Sequence, residues 1–170
     1  MSDASVPSSA AQLERLMIQY GDSLLRMCFM MLHDYELARD ATQDSFLKAY
    51  RALDQLESHD TEKAWLMRIA INTCKDIYKS RWWRMVDRRI DLDTLPDLGQ
   101  TDEHVDPTLF LEVMNLPLKY REVVLLHYYQ NMSLVEIAQT LNAPTSTIRS
   151  QLMRARNKLH TKLEGWYLDE

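Results

Sequence analysis

Residues 133–159 read SLVEIAQTLNAPTSTIRSQLMRARNKL. Ser133-Leu134-Val135-Glu136 has the form of a capping box, in which a hydroxyl and a carboxylate satisfy orphan amides at a helix start. Leu134, Ile137, Ala138 and Leu141 then share one face of a short helix. That helix ends at Asn142, a residue that tolerates the left-handed backbone. A brief turn through Pro144 leads into a longer helix. Ile148 and Leu152 are spaced to plug it onto the first, and Ala138 is small where the two must cross. The outer face of the second helix carries Thr147, Arg149, Ser150, Met153, Arg154, Arg156 and Lys158. This layout suits a helix-turn-helix, whose second helix enters the major groove and offers Arg and Ser/Thr to base edges and phosphates. A plain helical hairpin with a basic face is the competing reading. The capping box, the turn residues and the five bases without an acid over residues 145–163 favour DNA.

Upstream, the chain is helical by periodicity. From Ala10 to Leu32, the residues Leu13, Leu16, Met17, Tyr20, Leu24, Met27, Cys28 and Met31 recur at three- and four-residue spacing, with Gly21 tolerated inside. Asp34 is placed to cap a second helix running to about Leu56, with Leu37, Ala41, Phe46, Ala49, Tyr50 and Leu53 as its apolar set. A polar break, Glu57 to Thr61, precedes a third helix in which Leu66, Ile69, Ala70, Thr73, Cys74 and Ile77 keep the spacing. Cys28 and Cys74 both fall in apolar stripes and read as buried thiols. Downstream of Pro107, helices are expected over about Thr108–Leu116, Pro117–Tyr129, Ser133–Leu141 and Thr145–Gly165, with Pro117 suited to a first helical turn.

Between these groups, residues 87–107 lose all periodicity and hold two Pro, a Gly and no aromatic. They read as an acidic, flexible linker. The expected fold is all-α: two small helical domains, residues 10–86 and 108–165, joined by linker 87–107. Each half is within the size range of helical domains that fold alone.

The net charge of −5, from 20 basic and 25 acidic residues, argues superficially against a nucleic-acid partner. Its distribution reverses that. Residues 1–62 carry −6, residues 63–89 carry +6, residues 90–106 carry −6 and residues 145–163 carry +5. Local patches, not net charge, set where a polyanion docks.

Composition excludes several classes. The 46% hydrophobic content is enough for a core, and 3 Gly with 5 Pro supply too little turn punctuation for an all-β sandwich. Two distant Cys make neither a disulfide framework nor a four-ligand zinc site. The five His (His33, His59, His104, His127, His160) show no metal-site spacing, and no Gly-rich phosphate loop exists. No enzyme, catalytic residue, metal or cofactor is expected. No run approaches about eighteen apolar residues, and Met1 to Ala10 has no basic or apolar leader pattern, so a cytoplasmic protein is expected.

Four stretches, in order, resemble a known family. Asp40-Ala41-Thr42-Gln43-Asp44-Ser45-Phe46-Leu47-Lys48-Ala49-Tyr50 is similar to the D-x-x-Q-[ED]-[ST]-F-x-[KR]-[AV]-[YF] signature of region 2 of bacterial extracytoplasmic-function (ECF) RNA polymerase sigma factors. Trp65-Leu66-Met67-Arg68-Ile69-Ala70-Ile71-Asn72 resembles their W-L-x-x-I-A-x-N string. Leu116-Pro117-Leu118-Lys119-Tyr120-Arg121-Glu122-Val123 is similar to the opening of their region 4, and Ser133–Arg156 to its helix-turn-helix. The resemblance runs from about Gln12 to Leu163. Ser146, where Gly is usual, and Gln151, where many relatives carry Arg, are departures that bear on promoter preference.

The resemblance implies a transcription initiation factor that binds core polymerase through the β′ clamp and β flap, recognises the −35 and −10 promoter elements and promotes strand opening. Polymerase contact would fall on Asp40, Gln43, Asp44, Lys48 and Arg51, a polar stripe beside a packed Phe46/Leu47 edge. The −10 element would meet Asp60, Thr61, Lys63, Asn72, Lys75, Lys79 and Arg81, with Asp60, Thr61 and Lys63 around a base flipped from its strand. Trp82 and Trp83 suit packing better than base stacking, since two adjacent helix positions cannot share a face. The −35 duplex would meet Arg149, Ser150, Met153 and Arg154 at the bases, and Thr147, Arg156 and Lys158 at phosphates. The linker resembles a segment that threads the polymerase's RNA exit path. A cognate anti-sigma factor, often membrane-anchored in the family, is a further implied partner, and no small-molecule substrate is implied.

Two alternatives differ in class. A stand-alone helix-turn-helix regulator would bind duplex DNA without polymerase, usually as a symmetric dimer, and would leave the basic block at 63–89 unexplained. An anti-sigma or adaptor protein would fit the helices but not two cationic faces.

Overall fold

The computed structural model describes residues 8–56, 62–85 and 106–167, with side chains through Ser80 in the second segment and through Glu164 in the third. Among the described residues there is no strand. Seven α-helices follow one another: α1 (Ser9–Leu32), α2 (Tyr35–Arg51), α3 (Glu62–Met85), α4 (Pro107–Met114), α5 (Leu118–Val124), α6 (Leu134–Leu141) and α7 (Thr145–Tyr167).

The first three form one bundle. The Ser8 hydroxyl caps α1 by accepting from Ala11 N at 3.2 Å, and Asp34 caps α2 by accepting from Leu37 N at 3.1 Å. His33, between them, takes the left-handed conformation (φ 59°) that ends α1. Leu16, Leu24 and Cys28 of α1 pack with Leu66, Met67, Ala70, Ile71 and Cys74 of α3. The contribution of α2 is mostly small: Ala38, Ala41, Ser45 and Ala49, with Phe46 as its one large buried apolar residue. Small residues at these spacings let its axis approach the other two. Arg15 grips the Glu62 carboxylate with two hydrogen bonds (2.9 and 2.5 Å), tying α1 to the first turn of α3.

Three expectations are corrected here. α2 stops at Arg51, and the chain tightens into a 3₁₀ turn over Leu53–Gln55 instead of continuing to Leu56. Met17 and Tyr50 stand on apolar spacing yet are 49% and 45% exposed, because no partner helix reaches those faces. Leu47, expected to pack beside Phe46, is likewise exposed at the surface.

The last four helices form the second bundle. Pro107 opens α4 one residue earlier than expected, with Asp106 as its cap. Pro117 caps α5 from outside instead of sitting in its first turn. The stretch expected to be one helix to Tyr129 is interrupted: α5 ends at Val124, and Leu125–Tyr129 makes a single π-turn. That widened turn buries Leu125 and Leu126 while leaving Tyr128 and Tyr129 outside.

The two bundles pack on each other, and their buried residues form one contiguous core. The junction explains a feature that periodicity alone does not. Every residue from Met27 to Leu32 is buried, so α1 loses its polar face in its last turns. A helix apolar all round must be enclosed all round, and here α5 closes the remaining side. Arg121 of α5 donates to the carbonyls of Met31 (3.2 Å) and Met114 and to His33 Nε2. Linker residues 87–105 lie outside the described residues.

Candidate nucleic-acid interface

The helix-turn-helix closes as its residues require. Glu136 N donates to the Ser133 hydroxyl (3.2 Å) and Ser133 N to the Glu136 carboxylate (2.7 Å), so both halves of the capping box are made. The Ser133 backbone N–H, followed by the Ser133 side chain, holds the Glu136 pKa below the usual carboxylate range. Asn142 takes φ 51°, ψ 51°, and Ala143 N returns to Ala138 O at 2.9 Å. Ile148, Leu152 and Ala155 of α7 are buried, along with Ile137 and Ala138 of α6.

With that stripe fixed inward, α7 turns Thr147, Arg149, Met153, Arg154, Arg156 and Lys158 to solvent, and Ser150 is half-buried beside them. A groove of about 280 Å³ opens along its first turns, lined by Lys119, Thr147, Ser150, Gln151 and Arg154. Lys119 was not among the sequence-based candidates. The signal was weak, because one Lys at a helix start is ordinary.

Two tyrosines of the second bundle organise this cationic face. Arg156 Nε donates to the Tyr128 hydroxyl at 2.5 Å, and its guanidinium lies 5.6 Å from the ring centroid. Lys119 and Lys158 lie 5.0 and 5.9 Å from the Tyr120 ring centroid. Such cation–π contacts restrict long side chains and reduce the freedom they must lose on binding. Tyr128 was invisible in the sequence because its partner lies a whole helix-turn-helix away.

On α3, Arg68, Asn72, Lys75 and Lys79 follow each other at spacings of four, three and four, which is one helix face. Arg68, Asn72 and Lys79 are exposed, and Lys75 and Lys63 are half-buried. The second bundle engages part of this row. Lys75 Nζ pairs with the Glu122 carboxylate at 2.8 Å, Arg68 donates to Gln139 O at 3.0 Å and Lys63 donates to Gln130 O. Asp60, Thr61 and the side chains of Arg81, Trp82 and Trp83 lie outside the described residues.

On α2, Asp40, Gln43 and Arg51 are exposed and Asp44 and Lys48 half-buried along one face. Lys48 bonds Asp44 (2.8 Å) and Thr73 (3.0 Å), while Leu47 and Tyr50 stand exposed beside them. This face is therefore mixed polar and apolar, not purely polar.

Residues 16–84 match the family described as Sigma-70 region 2, and residues 111–159 match Sigma-70, region 4. The RNA polymerase sigma-E factor of Streptomyces avermitilis is 31% identical over 153 residues, spanning 87% of this chain and 83% of the relative. The chain belongs to the extracytoplasmic-function (ECF) RNA polymerase sigma factors. Other sigma-factor relatives agree. The sigma-H factor of Pseudomonas aeruginosa is 27% identical over 88% of this chain and 84% of its own length. SigW, an ECF sigma factor of Bacillus subtilis, is 27% identical over 85% and 84%. In three dimensions the fold is similar to the Bartonella quintana sigma factor RpoE, solved in complex with the anti-sigma factor NepR. The TM-score is 0.74 at 21% identity, over 90% of this chain and 97% of that one.

As an ECF sigma factor the protein is a transcription initiation factor that works with core RNA polymerase at promoter DNA. Its relatives are transcription factors rather than catalysts. No helix among the described residues is long and apolar enough to cross a membrane.

Proposed function

We propose that the two bundles divide promoter recognition between them, with residues 108–165 reading the −35 duplex, residues 10–86 taking the −10 element and core polymerase, and residues 87–107 as the connector. The observation that carries this is the orientation of α7. Ile148, Leu152 and Ala155 anchor it inward, which leaves Arg149, Arg154, Arg156 and Lys158 on its solvent side with no acid among them. On this reading Arg149, Ser150, Met153 and Arg154 meet base edges, and Thr147, Arg156 and Lys158 position the helix on phosphates. Asn72, Lys75 and Lys79 of α3 follow the −10 strand. Asp40, Gln43, Asp44, Lys48 and Arg51, together with exposed Leu47 and Tyr50, form the polymerase-binding face. An apolar patch framed by charges suits a specific protein partner.

The protein acts in the cytoplasm, where its polymerase is, and contributes no catalytic group of its own. An anti-sigma factor is its regulator, a reading supported by the similarity in fold to RpoE, which binds NepR. The test is transcription by reconstituted holoenzyme. Arg149→Ala and Arg154→Ala should remove promoter selectivity while polymerase binding is retained. Equal loss of both activities would contradict the division of labour.

A further inference from the structure

Glu62 opens α3 and is only 2% exposed. Arg15 of α1 reaches it with both prongs of its guanidinium, Nη1 to Oε1 at 2.9 Å and Nη2 to Oε2 at 2.5 Å. The same Nη1 donates to Gln19 Oε1 at 3.3 Å, and Gln19 Nε2 donates to the Tyr20 hydroxyl at 3.2 Å. Burial, followed by the charge of Glu62, raises the Tyr20 pKa, so the phenol stays neutral beside the carboxylate. Removing a charge pair from water offsets most of what its attraction gains, and an apolar pair of similar volume is often as stable. What the fork adds is direction. The contacts of Leu66, Ala70 and Cys74 in the core are non-directional and tolerate small turns and slides of a helix. A two-pronged guanidinium–carboxylate contact fixes both distance and angle. At roughly 100° per residue, Arg68, Asn72, Lys75 and Lys79 form a row about 110° round the α3 axis from Glu62. Locking Glu62 onto α1 therefore sets the direction in which that row points.

We propose that Arg15 is a positioning residue for −10 recognition: through Glu62 it sets the rotation of α3 about its own axis, and so the angle at which Asn72 and Lys79 meet the promoter strand. This rests on the assignment of α3 to the −10 strand. Arg15 and Glu62 act on α3, not on DNA, so the pair governs how well the −10 element is told from another sequence. Stability and polymerase binding do not depend on the fork, because an apolar pair can fill the same space between α1 and α3.

Holoenzyme reconstituted from the full chain tests this with the double variant Arg15→Leu, Glu62→Met, which replaces the ion pair by an apolar one. Thermal unfolding and affinity for core polymerase are measured first. Binding is then compared on three promoters: one intact, one with the −10 element scrambled and one with the −35 element scrambled. The double variant should melt near the wild type and bind polymerase equally well. Its preference for the intact over the scrambled −10 element should fall by about tenfold, within the range that one specific base contact supplies. Its preference at the −35 element should not change. Arg15→Lys, which keeps the charge and loses the fork, should lower the −10 preference by a smaller factor. A stable double variant with the wild-type −10 preference overturns the proposal, as does an equal loss of preference at both elements. Should the double variant not fold, Arg15→Lys decides, and an unchanged −10 preference there overturns the proposal. Asn72→Ala and Lys79→Ala in the otherwise native chain test the underlying assignment: if neither weakens binding to the intact −10 element, it is the placing of α3 on the −10 strand that falls.

Discussion

Lys75 Nζ lies 2.8 Å from Glu122 Oε2, an ion pair across the two bundles between residues 47 positions apart. Burial raises the Glu122 pKa, and the Lys75 ammonium pulls it partly back. The pair is thus a buried carboxylate whose hydrogen-bonded counterion is partly in solvent, with the Arg121 guanidinium as a second, weaker cationic influence.

Lys75→Ala should leave the Glu122 carboxylate enclosed without that counterion and cost about 1–3 kcal/mol, less than for a fully buried pair because Lys75 is partly wet. A folded-state pKa above the unfolded value means the folded chain holds its proton more tightly. The penalty is therefore greatest at neutral pH and fades as pH falls towards the ordinary value of 4.5. Denaturant unfolding of the variant at pH 7 and pH 5 checks this.

His33 gives the opposite dependence. Burial, followed by the Arg121 guanidinium, pushes its pKa from 6.5 down to about 3. Arg121 has only donors to offer, so His33 must accept through Nε2 as a neutral ring. Above pH 6.5 neither folded nor unfolded chain is protonated there, and stability is intact. As pH falls from 6.5 towards 3 the unfolded chain takes a proton that the folded chain refuses, at a cost that reaches at most about 4–5 kcal/mol. His33→Gln keeps an acceptor and removes the titration. Its unfolding free energy should fall less between pH 7 and pH 4.5 than that of the wild type.

The helix-turn-helix was legible in the sequence because its determinants are local. Ser133 and Glu136 are three residues apart, Asn142 needs only its own backbone, and Ile148 and Leu152 follow helical spacing. The junction was not legible. Arg121 and Glu122 sit close to Lys119 in α5, so three charges within one helical turn give no local sign of which is buried, and the partners of the two buried ones (His33, Met31, Lys75) come from the other bundle. The apolar run from Met27 to Leu32 exceeds one helix face, but it too names no partner. Of the candidate site, the face of α7 was readable from period and charge. The grip of Tyr128 on Arg156 was not, because it depends on a π-turn that periodicity does not mark.

Ser133→Ala removes one side of the capping box and should destabilise the second bundle by about 1 kcal/mol. Ile148→Ala, which opens a cavity between α6 and α7, should cost about 2–4 kcal/mol. Thermal unfolding of both variants checks the order.

Tyr128→Phe should weaken binding to a −35 duplex about equally for all sequences, since it frees Arg156 without touching a base contact. Arg156→Ala should do the same more strongly and lower the slope of log affinity against log salt by about one unit. Titrations at several salt concentrations separate this from Arg149→Ala, which should cost about 1–3 kcal/mol at a single base position.

The most direct measurement combines the purified chain with bacterial core RNA polymerase and a library of promoter sequences, scoring complex formation and transcript start sites. The account predicts a stable complex that initiates selectively, from promoters sharing two spaced elements. Failure to bind polymerase, with tight binding to duplex DNA by the chain alone, would contradict it.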